Sequence, residues 1–370
     1  MSRQQNTIRV CFVSPKAYPI FNPQVEAVFG GAEVDLYLIA TELAKDQRFE
    51  PVFVTADYGQ DNIETRQGVR LIKSLDFSQN PLIGARKIWN ALKQADAAIH
   101  LLKTASPGVP LVQHFCRTYR RRFVYKTASQ AECDGGYLRE HPVLGRLFIR
   151  ALRQAAQVIV QSRQDHDNLR RHFSIDSVII PNGHRLSDVS AAEKRTTLWV
   201  GRSAAVKGPQ RFLDLAAAFP QEPFMMVYPR ATGDLAYDRL RQRAGQLPNL
   251  TFYEHVGFAE IEHVFAEAKV LVNTSDSEGF PNTFIQAGKA AAAILSFKVN
   301  PDDVLTRHAI GLCGDGTPDT LALNLRRLLT DDRWKEPAQN GLAYVRRHHA
   351  IETLIESYKQ LFVRLTGESR

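Results

Sequence analysis

Residues 198–212, with the sequence LWVGRSAAVKGPQRF, contain a short apolar run that ends at Gly201-Arg202 and leads through a turn into a helical pattern. A short apolar run flanked by turn residues indicates a buried strand. A strand followed directly by a helix is half of a βαβ unit, from which parallel sheets are built. This segment therefore predicts an α/β fold.

The same alternation continues on both sides of this segment. Towards the N-terminus, apolar or β-branched runs occur at residues 8–14, 51–55, 69–72, 97–102, 123–126, 158–161 and 178–180. Towards the C-terminus, they occur at residues 198–200, 224–228, 250–253, 270–273 and 293–297. Between the runs, apolar residues recur at intervals of three and four, as in Leu144, Leu147 and Phe148, which is the period of a helix with one buried face. Two such series predict two doubly wound, Rossmann-like domains.

A turn at Pro181-Asn182-Gly183 and a polar stretch at residues 187–197 interrupt the alternation and indicate a linker. The tail over residues 317–365 is predicted to be helical throughout, with a break near Pro337. The predicted N-terminal domain comprises residues 1–185 and the predicted C-terminal domain residues 186–350. Residues 351–370 are predicted to form a final helix that packs back on the first domain. Doubly wound sheets bind ligands at the carboxyl ends of their strands, so we expect a site in the cleft between the domains.

The composition excludes several classes of protein. The chain has 370 residues, of which 44% are hydrophobic and 23% charged, as in ordinary globular domains and unlike a disordered chain. The first ten residues carry no apolar signal segment, and no run approaches the roughly 18 apolar residues of a membrane span. The four cysteines, Cys11, Cys116, Cys133 and Cys313, lie far apart without a C-x-x-C pair. We therefore expect a cytoplasmic protein with neither a disulfide nor a bound metal.

The charge of the chain predicts an anionic partner. There are 47 lysine and arginine residues against 39 aspartate and glutamate residues, a formal net charge of +8. The excess leans towards the first half, where a basic cluster contains Arg117, Arg120, Arg121 and Arg122. No recognition motif or aromatic stacking platform accompanies this charge, so nucleic acid is a poor candidate. A phosphorylated small molecule or a lipid head group fits better.

The first candidate binding motif is Phe29-Gly30-Gly31-Ala32-Glu33, which opens the first helical pattern. Glycines let the backbone approach a ligand closely, and the N–H groups at a helix start favour an anion such as phosphate. The G-x-G-x-x-G spacing of nicotinamide-binding sites is absent. The alternative is a flexible turn that leads into a helix.

The second motif comprises Gly201, Arg202 and Lys207, which lie where the strand at residues 198–200 ends. A planar guanidinium and a compact ammonium group at the carboxyl end of a strand suit a diphosphate. The alternative is a solvated basic loop.

The third motif is SDSEGFPNTFIQA at residues 275–287, which follows a buried strand and leads into a helix. Its flexible glycine, its helix-starting proline and the free amides of a first helical turn predict an anion site. The residues expected at that anion are Gly279, Phe280, Pro281, Asn282 and Thr283. Glu278 is then expected to face the ligand and accept hydrogen bonds from hydroxyl groups, the alternative being a carboxylate that caps the helix.

The order of FGGAEV at residues 29–34, WVGR at 199–202 with a lysine five residues later, and EGFPNTF at 278–284 resembles the group 1, or family 4, retaining glycosyltransferases. The turn at residues 181–183 is similar to one that precedes the linker in that family. The resemblance covers nearly the whole chain and is firmest over residues 158–311. It implies the GT-B fold, in which two Rossmann-like domains face each other across a cleft.

The resemblance also implies roles for individual residues. Gly30 and Gly31 match the family's glycine-rich loop near the donor phosphates. Arg202 and Lys207 match the pair that binds the diphosphate, and Glu278 matches a residue that contacts the transferred sugar. The nucleotide sugar would bind mainly to the second domain and the acceptor hydroxyl to the first.

Further positions are less well defined. Gln286 stands where the family has a second glutamate, which usually binds the ribose; the amide keeps a carbonyl acceptor but has no charge, so we expect binding weaker by about 1 kcal/mol. Gly257 follows a strand where family members hold the base through backbone groups. Glu132 and Asp134 lie in a loop expected at the cleft, where they either orient the acceptor or donor sugar or belong to a solvated loop.

The implied reaction is the retaining transfer of a sugar from a nucleoside-diphosphate sugar to a hydroxyl of a lipid-linked or saccharide acceptor, in the synthesis of surface polysaccharide, lipopolysaccharide or glycolipid. The nucleotide sugar is a co-substrate, and neither a cofactor nor a metal is expected. One alternative is a GT-B sugar-nucleotide epimerase or phosphorylase, which binds similar ligands. Another is a catalytically silent GT-B scaffold, suggested by Gln286.

The basic residues raise the question of a membrane surface. The cluster at residues 117–122 and the cationic amphipathic segment at 138–153, with Arg146, Arg150 and Arg153, favour docking on anionic lipid. The protein would then be peripheral on the inner face of the membrane. The alternative is a core helix with a solvated face, next to a basic loop.

Overall fold

The computed structural model describes residues 7–186, 192–231, 234–258 and 260–367. The chain divides into two compact units. Unit 1 comprises Met1–Arg185 and Ile351–Arg370, and unit 2 comprises Leu186–Ala350. Each unit has its own sheet, covered by helices.

The sheet of unit 1 has eight strands. They are β1 (Ile8–Val13), β2 (Phe49–Thr55), β3 (Ile63–Arg66), β4 (Val69–Lys73), β5 (Ile99–Lys103), β6 (Arg122–Lys126), β7 (Gln157–Val160) and β8 (Val178–Ile179). Their order is β3-β4-β2-β1-β5-β6-β7-β8. Neighbouring strands are parallel except β3, which pairs antiparallel with β4. The inner strands are apolar runs because helices cover both faces of a parallel sheet.

In the described part of the chain, these strands are connected by the α-helices α1 (Tyr18–Phe21), α2 (Gly31–Leu43), α3 (Pro81–Ala95), α4 (Gly108–Thr118), α5 (Gly136–Glu140), α6 (Pro142–Arg153) and α7 (Arg163–Phe173). Helices α3, α4 and α6 bury Leu92, Val112 and Phe148 in one shared apolar cluster. Pro81 and Pro142 open their helices, where a backbone N–H has no partner in the helix. The apolar faces seen in the sequence therefore pack on the sheet.

The sheet of unit 2 has six strands: β9 (Thr196–Val200), β10 (Phe224–Val227), β11 (Leu250–Tyr253), β12 (Ala268–Asn273), β13 (Ala293–Ser296) and β14 (Gly311–Cys313). All are parallel, in the order β11-β10-β9-β12-β13-β14. The helices are α8 (Pro209–Ala218), α9 (Tyr237–Ala244), α10 (Ile261–Ala266), α11 (Asn282–Lys289), α12 (Val304–Arg307), α13 (Pro318–Leu329) and α14 (Lys335–His348). The central pair β9 and β12 sets the place of the candidate site.

The last helix, α15 (Ile351–Thr366), belongs to unit 1. Its Tyr358 and Phe362 are buried. Lys126 Nζ donates to the Tyr358 hydroxyl at 2.8 Å, and Arg122 Nε donates to the Leu365 carbonyl at 3.0 Å. Both contacts join α15 to β6.

Three sequence expectations need correction. Strands β3 and β14 were not predicted, and the predicted break near Pro337 is wrong. Pro337 lies in the first turn of α14, where a proline removes no hydrogen bond of the helix. The helical tail is interrupted instead at Thr330–Asp332 and between α14 and α15.

A buried ionic cluster lies at the carboxyl ends of β5 and β6. Asp35 of α2 accepts hydrogen bonds from Lys103 Nζ and Lys126 Nζ, both at 2.8 Å. Asn182 Oδ1 also accepts from Lys103, at 2.9 Å. Two ammonium groups share one carboxylate, and burial lowers the pKa of Lys126 to about 7 although Asp35 opposes the shift.

This shifted pKa predicts a pH dependence of stability. Between pH values of about 7 and 10.5, the unfolded chain binds a proton that folded Lys126 does not, so the free energy of unfolding should rise with pH. Below the lower value, both states are protonated and the contribution is constant. Urea unfolding at about pH 7 and pH 9 measures the rise, which Lys126→Met should lose. An equal rise in both proteins would contradict this origin.

Candidate active site

Two loops at the carboxyl edge of the unit 2 sheet carry the predicted binding residues. The β9 loop, residues 201–208, carries Arg202 and Lys207, and the β12 loop, residues 274–281, carries Glu278. Because β9 and β12 are parallel neighbours, their carboxyl ends lie side by side. This is the edge at which doubly wound sheets bind ligands.

Lys207 and Glu278 form an ion pair between the two loops. Lys207 Nζ donates to Glu278 Oε1 at 2.5 Å, and Ser275 Oγ donates to the same oxygen at 2.7 Å. The lysine side chain is 25% exposed and the glutamate side chain 15%, so both can be reached by a ligand. The alternative that Glu278 caps α11 does not hold, because its bonds in the described part of the chain go to Lys207 and Ser275.

Hydrogen bonds fix the spacing of the two loops. Trp199 Nε1 donates to Thr274 Oγ1 at 2.8 Å, and Thr274 Oγ1 donates to the Lys207 carbonyl at 2.7 Å. The Asp276 N–H donates to the Val206 carbonyl, also at 2.8 Å. The separation of Lys207 from Glu278 is therefore set by the backbones of both loops.

Gly201 and Arg202 begin the β9 loop. The Gly201 N–H donates to the Val227 carbonyl at 3.1 Å, and a Cβ at this position would lie 2.8 Å from the Trp199 ring. Glycine is thus required by the close approach of the indole. Arg202 is exposed and makes no ion pair within the ranges that the structure describes, which leaves its guanidinium available to an anion.

The β12 loop leads into α11. Gly279, Phe280 and Pro281 are buried, whereas Asn282 and Thr283 are half-buried in the first turn. Pro281 is the N-cap residue, so it precedes the helix instead of lying in its first turn. Gln286 is half-buried one turn further on. Its side-chain amide makes no hydrogen bond to the described residues and is available to a ligand.

Two predicted glycine sites are occupied by internal carboxylates. Gly30 is the N-cap of α2, which Gly31 opens, and the Gly30 N–H donates to Glu33 Oε2 at 2.8 Å. The Gly257 N–H donates to Glu260 Oε2 at 3.3 Å. An anion bound at either N–H group would have to replace the carboxylate.

Glu132 is buried, so the alternative of a solvated loop is wrong for this residue, and its role at a sugar stays a prediction. The residue is 3% exposed. Its Oε2 accepts from the Tyr125 hydroxyl at 2.7 Å and from the Ala128 N–H at 3.0 Å. Its Oε1 accepts from the Ala105 N–H and the Ser129 hydroxyl. Burial raises the pKa of Glu132 although these hydrogen bonds oppose the shift, and the carboxylate joins the loops after β5 and β6.

Sequence reasoning missed two residues of this site, Thr274 and Arg211, and gave no role to Ser275, the first residue of the third motif. Arg211 of α8 donates to the Thr274 carbonyl at 2.8 Å and to Asp276 Oδ1 at 3.0 Å. In the sequence Arg211 is only a further basic residue after the Lys207-Gly208 turn, because its partners Thr274 and Asp276 lie more than 60 positions away along the chain.

Comparisons with known proteins place the chain in a family. Residues 29–188 match the family model described as Glycosyltransferase Family 4. Residues 194–331 match the model described as Glycosyl transferases group 1. The two matches follow each other and cover most of the chain. No curated protein matches it.

Solved structures share the fold over nearly the whole chain. Sucrose-phosphate synthase from Thermosynechococcus elongatus has a TM-score of 0.81 at 17% identity, covering 98% of this chain and 100% of that one. The trehalose-6-phosphate synthase OtsA has a TM-score of 0.74 at 13% identity, covering 96% and 98%. WaaG, a glycosyltransferase involved in lipopolysaccharide biosynthesis, has a TM-score of 0.70 at 16% identity, covering 97% and 100%.

The two Rossmann-like sheets and these likenesses show the GT-B fold, so the predicted fold class is confirmed. The chain belongs to the group 1, family 4 glycosyltransferases, and its reaction is sugar transfer. The family match favours this reaction over the epimerase, the phosphorylase and the silent scaffold.

The burial of Glu132 predicts a loss of stability when it is replaced. In Glu132→Ala the Tyr125 and Ser129 hydroxyls and two peptide N–H groups lose their acceptor, so the free energy of unfolding should fall by about 2–4 kcal/mol. Asp134 is the matched control, because it is partly exposed and accepts from the Gly136 N–H at 2.8 Å. Asp134→Ala should cost about 1 kcal/mol or less. Equal losses in urea unfolding would contradict the structural role of Glu132.

Proposed function

We propose that unit 2 binds a nucleoside-diphosphate sugar and that the enzyme transfers its sugar with retention and without a metal. The observation that carries the proposal is the Lys207–Glu278 pair, with the exposed Arg202 in the same loop as Lys207. Two cations and one carboxylate on adjoining loops suit a ligand that combines a diphosphate with sugar hydroxyls. Retention follows from the family resemblance.

In the proposed reaction, Lys207 exchanges Glu278 for a phosphate oxygen when the donor binds. Glu278, still held by Ser275, then accepts hydrogen bonds from sugar hydroxyls. When the nucleoside diphosphate leaves, negative charge develops on its phosphate oxygens, and Arg202 and Lys207 stabilise it. These cations would supply the charge that a metal ion supplies in other enzymes. Gln286 offers a carbonyl and an amide to the ribose hydroxyls.

The proposed acceptor is a hydroxyl of a lipid-linked molecule or saccharide in the synthesis of a surface polysaccharide, lipopolysaccharide or glycolipid. The likeness to WaaG, which acts in lipopolysaccharide biosynthesis, supports this choice. Incubation with lipid extracts and oligosaccharide acceptors, followed by analysis of the glycosidic linkage, tests both the acceptor and the retention.

Thermal unfolding with UDP, GDP, ADP or CMP tests the donor site. The matching nucleotide should stabilise the protein by about 2.7 kcal/mol at about one hundred times its dissociation constant, with or without a chelator. Lys207→Ala should lose most of this stabilisation, because it removes a cation from the diphosphate site. Lys335→Ala is the control, since Lys335 pairs with Asp332 on the surface. No stabilisation by any nucleotide would contradict the proposed donor, and loss in the chelator would contradict metal independence.

A second proposal concerns the membrane. None of the described helices has the length and apolar character needed to cross a bilayer. The surface of α6 nevertheless exposes Val143 by 73% and Leu147 by 46%, beside the exposed Arg146 and Arg150. We propose that this face binds anionic lipid and holds the enzyme peripherally on the inner face of the membrane.

The basic cluster at residues 117–122 offers fewer free charges to a lipid surface than predicted, because two of its arginines bond within unit 1. Arg121 Nη2 pairs with Asp96 at 2.5 Å, and Arg122 Nε donates to the Leu365 carbonyl. Charge reversal of these two arginines would break contacts within unit 1, so it would not be a clean test of lipid binding.

Sedimentation with phosphatidylglycerol vesicles tests the α6 face. The double change Arg146→Glu and Arg150→Glu should abolish binding, because it repels the anionic surface. The double change Val143→Ser and Leu147→Ser should weaken it, because apolar burial is lost. Leu323→Ser is the control, since Leu323 is 50% exposed in unit 2. Unchanged sedimentation of both double variants would contradict the membrane proposal.

A further inference from the structure

Arg211 connects the element that follows Lys207 to the loop that carries Glu278. It lies in the first turn of α8, which begins directly after the β9 loop. Its two terminal nitrogens donate to separate groups of the β12 loop, the Thr274 carbonyl at 2.8 Å and Asp276 Oδ1 at 3.0 Å. A single planar side chain thus joins α8, which directly follows the β9 loop, to the β12 loop.

The Arg211 side chain is oriented from several directions. Its guanidinium lies over the Phe297 ring, 4.2 Å from the centroid. Its partner Asp276 also pairs with Lys298 at 3.2 Å. Although burial acts to raise it, hydrogen bonds from Arg211 and Lys298 hold the pKa of Asp276 below its ordinary value. A lysine at position 211 has no planar fork with which to bond both partners in the same way.

Gly208 shows how closely the β9 loop fits against this arginine. Its φ of +57° lies in the left-handed region that favours glycine. A Cβ at this position would lie 2.5 Å from the Thr274 carbonyl oxygen and would also collide with the Arg211 guanidinium. The turn that follows Lys207 therefore packs directly against the two groups that form the hydrogen bond between Arg211 and Thr274.

We propose that Arg211 is a positioning residue for sugar transfer: by clamping α8 to the β12 loop, it reinforces the separation of Lys207 and Glu278 that the loop backbones set. Arg211 acts through these two residues and does not touch the substrate. The inference rests on the proposed donor role of Lys207 and Glu278. Placement of Lys207 matters most when charge develops on the leaving diphosphate, so Arg211 contributes more to the transition state than to donor binding.

Three variants separate positioning from simple stability. Arg211→Met keeps an unbranched apolar stem and removes both hydrogen bonds, whereas Arg211→Lys keeps the charge. The matched control is Arg243→Met, because Arg243 pairs at 2.7 Å with Asp214, a residue of the same helix α8 outside the two loops.

Hydrogen exchange of the protein without ligand gives the first readout. In Arg211→Met, amide exchange should accelerate in both loops, at residues 204–208 and 274–278, while Arg243→Met leaves both unchanged. Unchanged exchange in either loop of Arg211→Met would overturn the inference, whatever the donor is.

Turnover gives the second readout, as release of nucleoside diphosphate from UDP-glucose, GDP-mannose or ADP-glucose. In Arg211→Met, kcat should fall about 10- to 100-fold, since a misplaced catalytic group can cost this much, while KM changes less than about threefold. Arg211→Lys should recover part of kcat, and Arg243→Met should keep all of it. Equal kcat in the two methionine variants would overturn the inference. If Lys207→Ala and Glu278→Ala also retain full turnover, the proposed donor site fails instead.

Discussion

The pairing of β9 with β12 is the constraint on which the candidate site depends. Because these strands are parallel neighbours, the chain leaves both at one edge, and Thr274 can bond to Trp199 and to the Lys207 carbonyl at once. Lys207 and Glu278 are 71 positions apart along the chain, so local sequence alone does not hold their loops together. The sheet supplies the alignment, and the buried hydroxyl of Thr274 makes it rigid enough for an ion pair to span the two loops.

The strands that could be predicted from the sequence are those whose burial requires apolar residues. Inner parallel strands such as β1 and β12 are covered on both faces, so their residues are apolar in an unbroken run. Strand β3 was missed because it lies at the sheet edge with no buried residue and reads as a polar segment. Pro337 was misread because a proline permitted in a first turn looks the same in sequence as one that ends a helix.

The charged residues of the candidate site could be predicted from the sequence, but the hydrogen-bond partners of the predicted residues could not. Arg202, Lys207 and Glu278 were found because they follow buried strands, whose carboxyl ends meet at one edge of a parallel sheet, and because they match motifs of the family. The burial of Glu132 depends on Ala105, 27 residues away, and no local pattern reports such a contact. The hydrogen bond from the Gly30 N–H to Glu33, in contrast, joins residues three positions apart. An acidic residue three positions after an N-cap commonly accepts from the N–H of the cap, so a local pattern for this contact is present in the sequence.

The return of α15 to unit 1 has a consequence for synthesis of the chain. Lys126 and its partner Tyr358 are 232 positions apart, and all of unit 2 lies between them. Chains emerge from the ribosome with the N-terminal part first. While unit 2 is translated, the surface of unit 1 that α15 covers in the folded protein therefore stays exposed. Unit 1 is the first unit to be translated in part and the last to be complete. It therefore cannot finish folding before unit 2 has been translated.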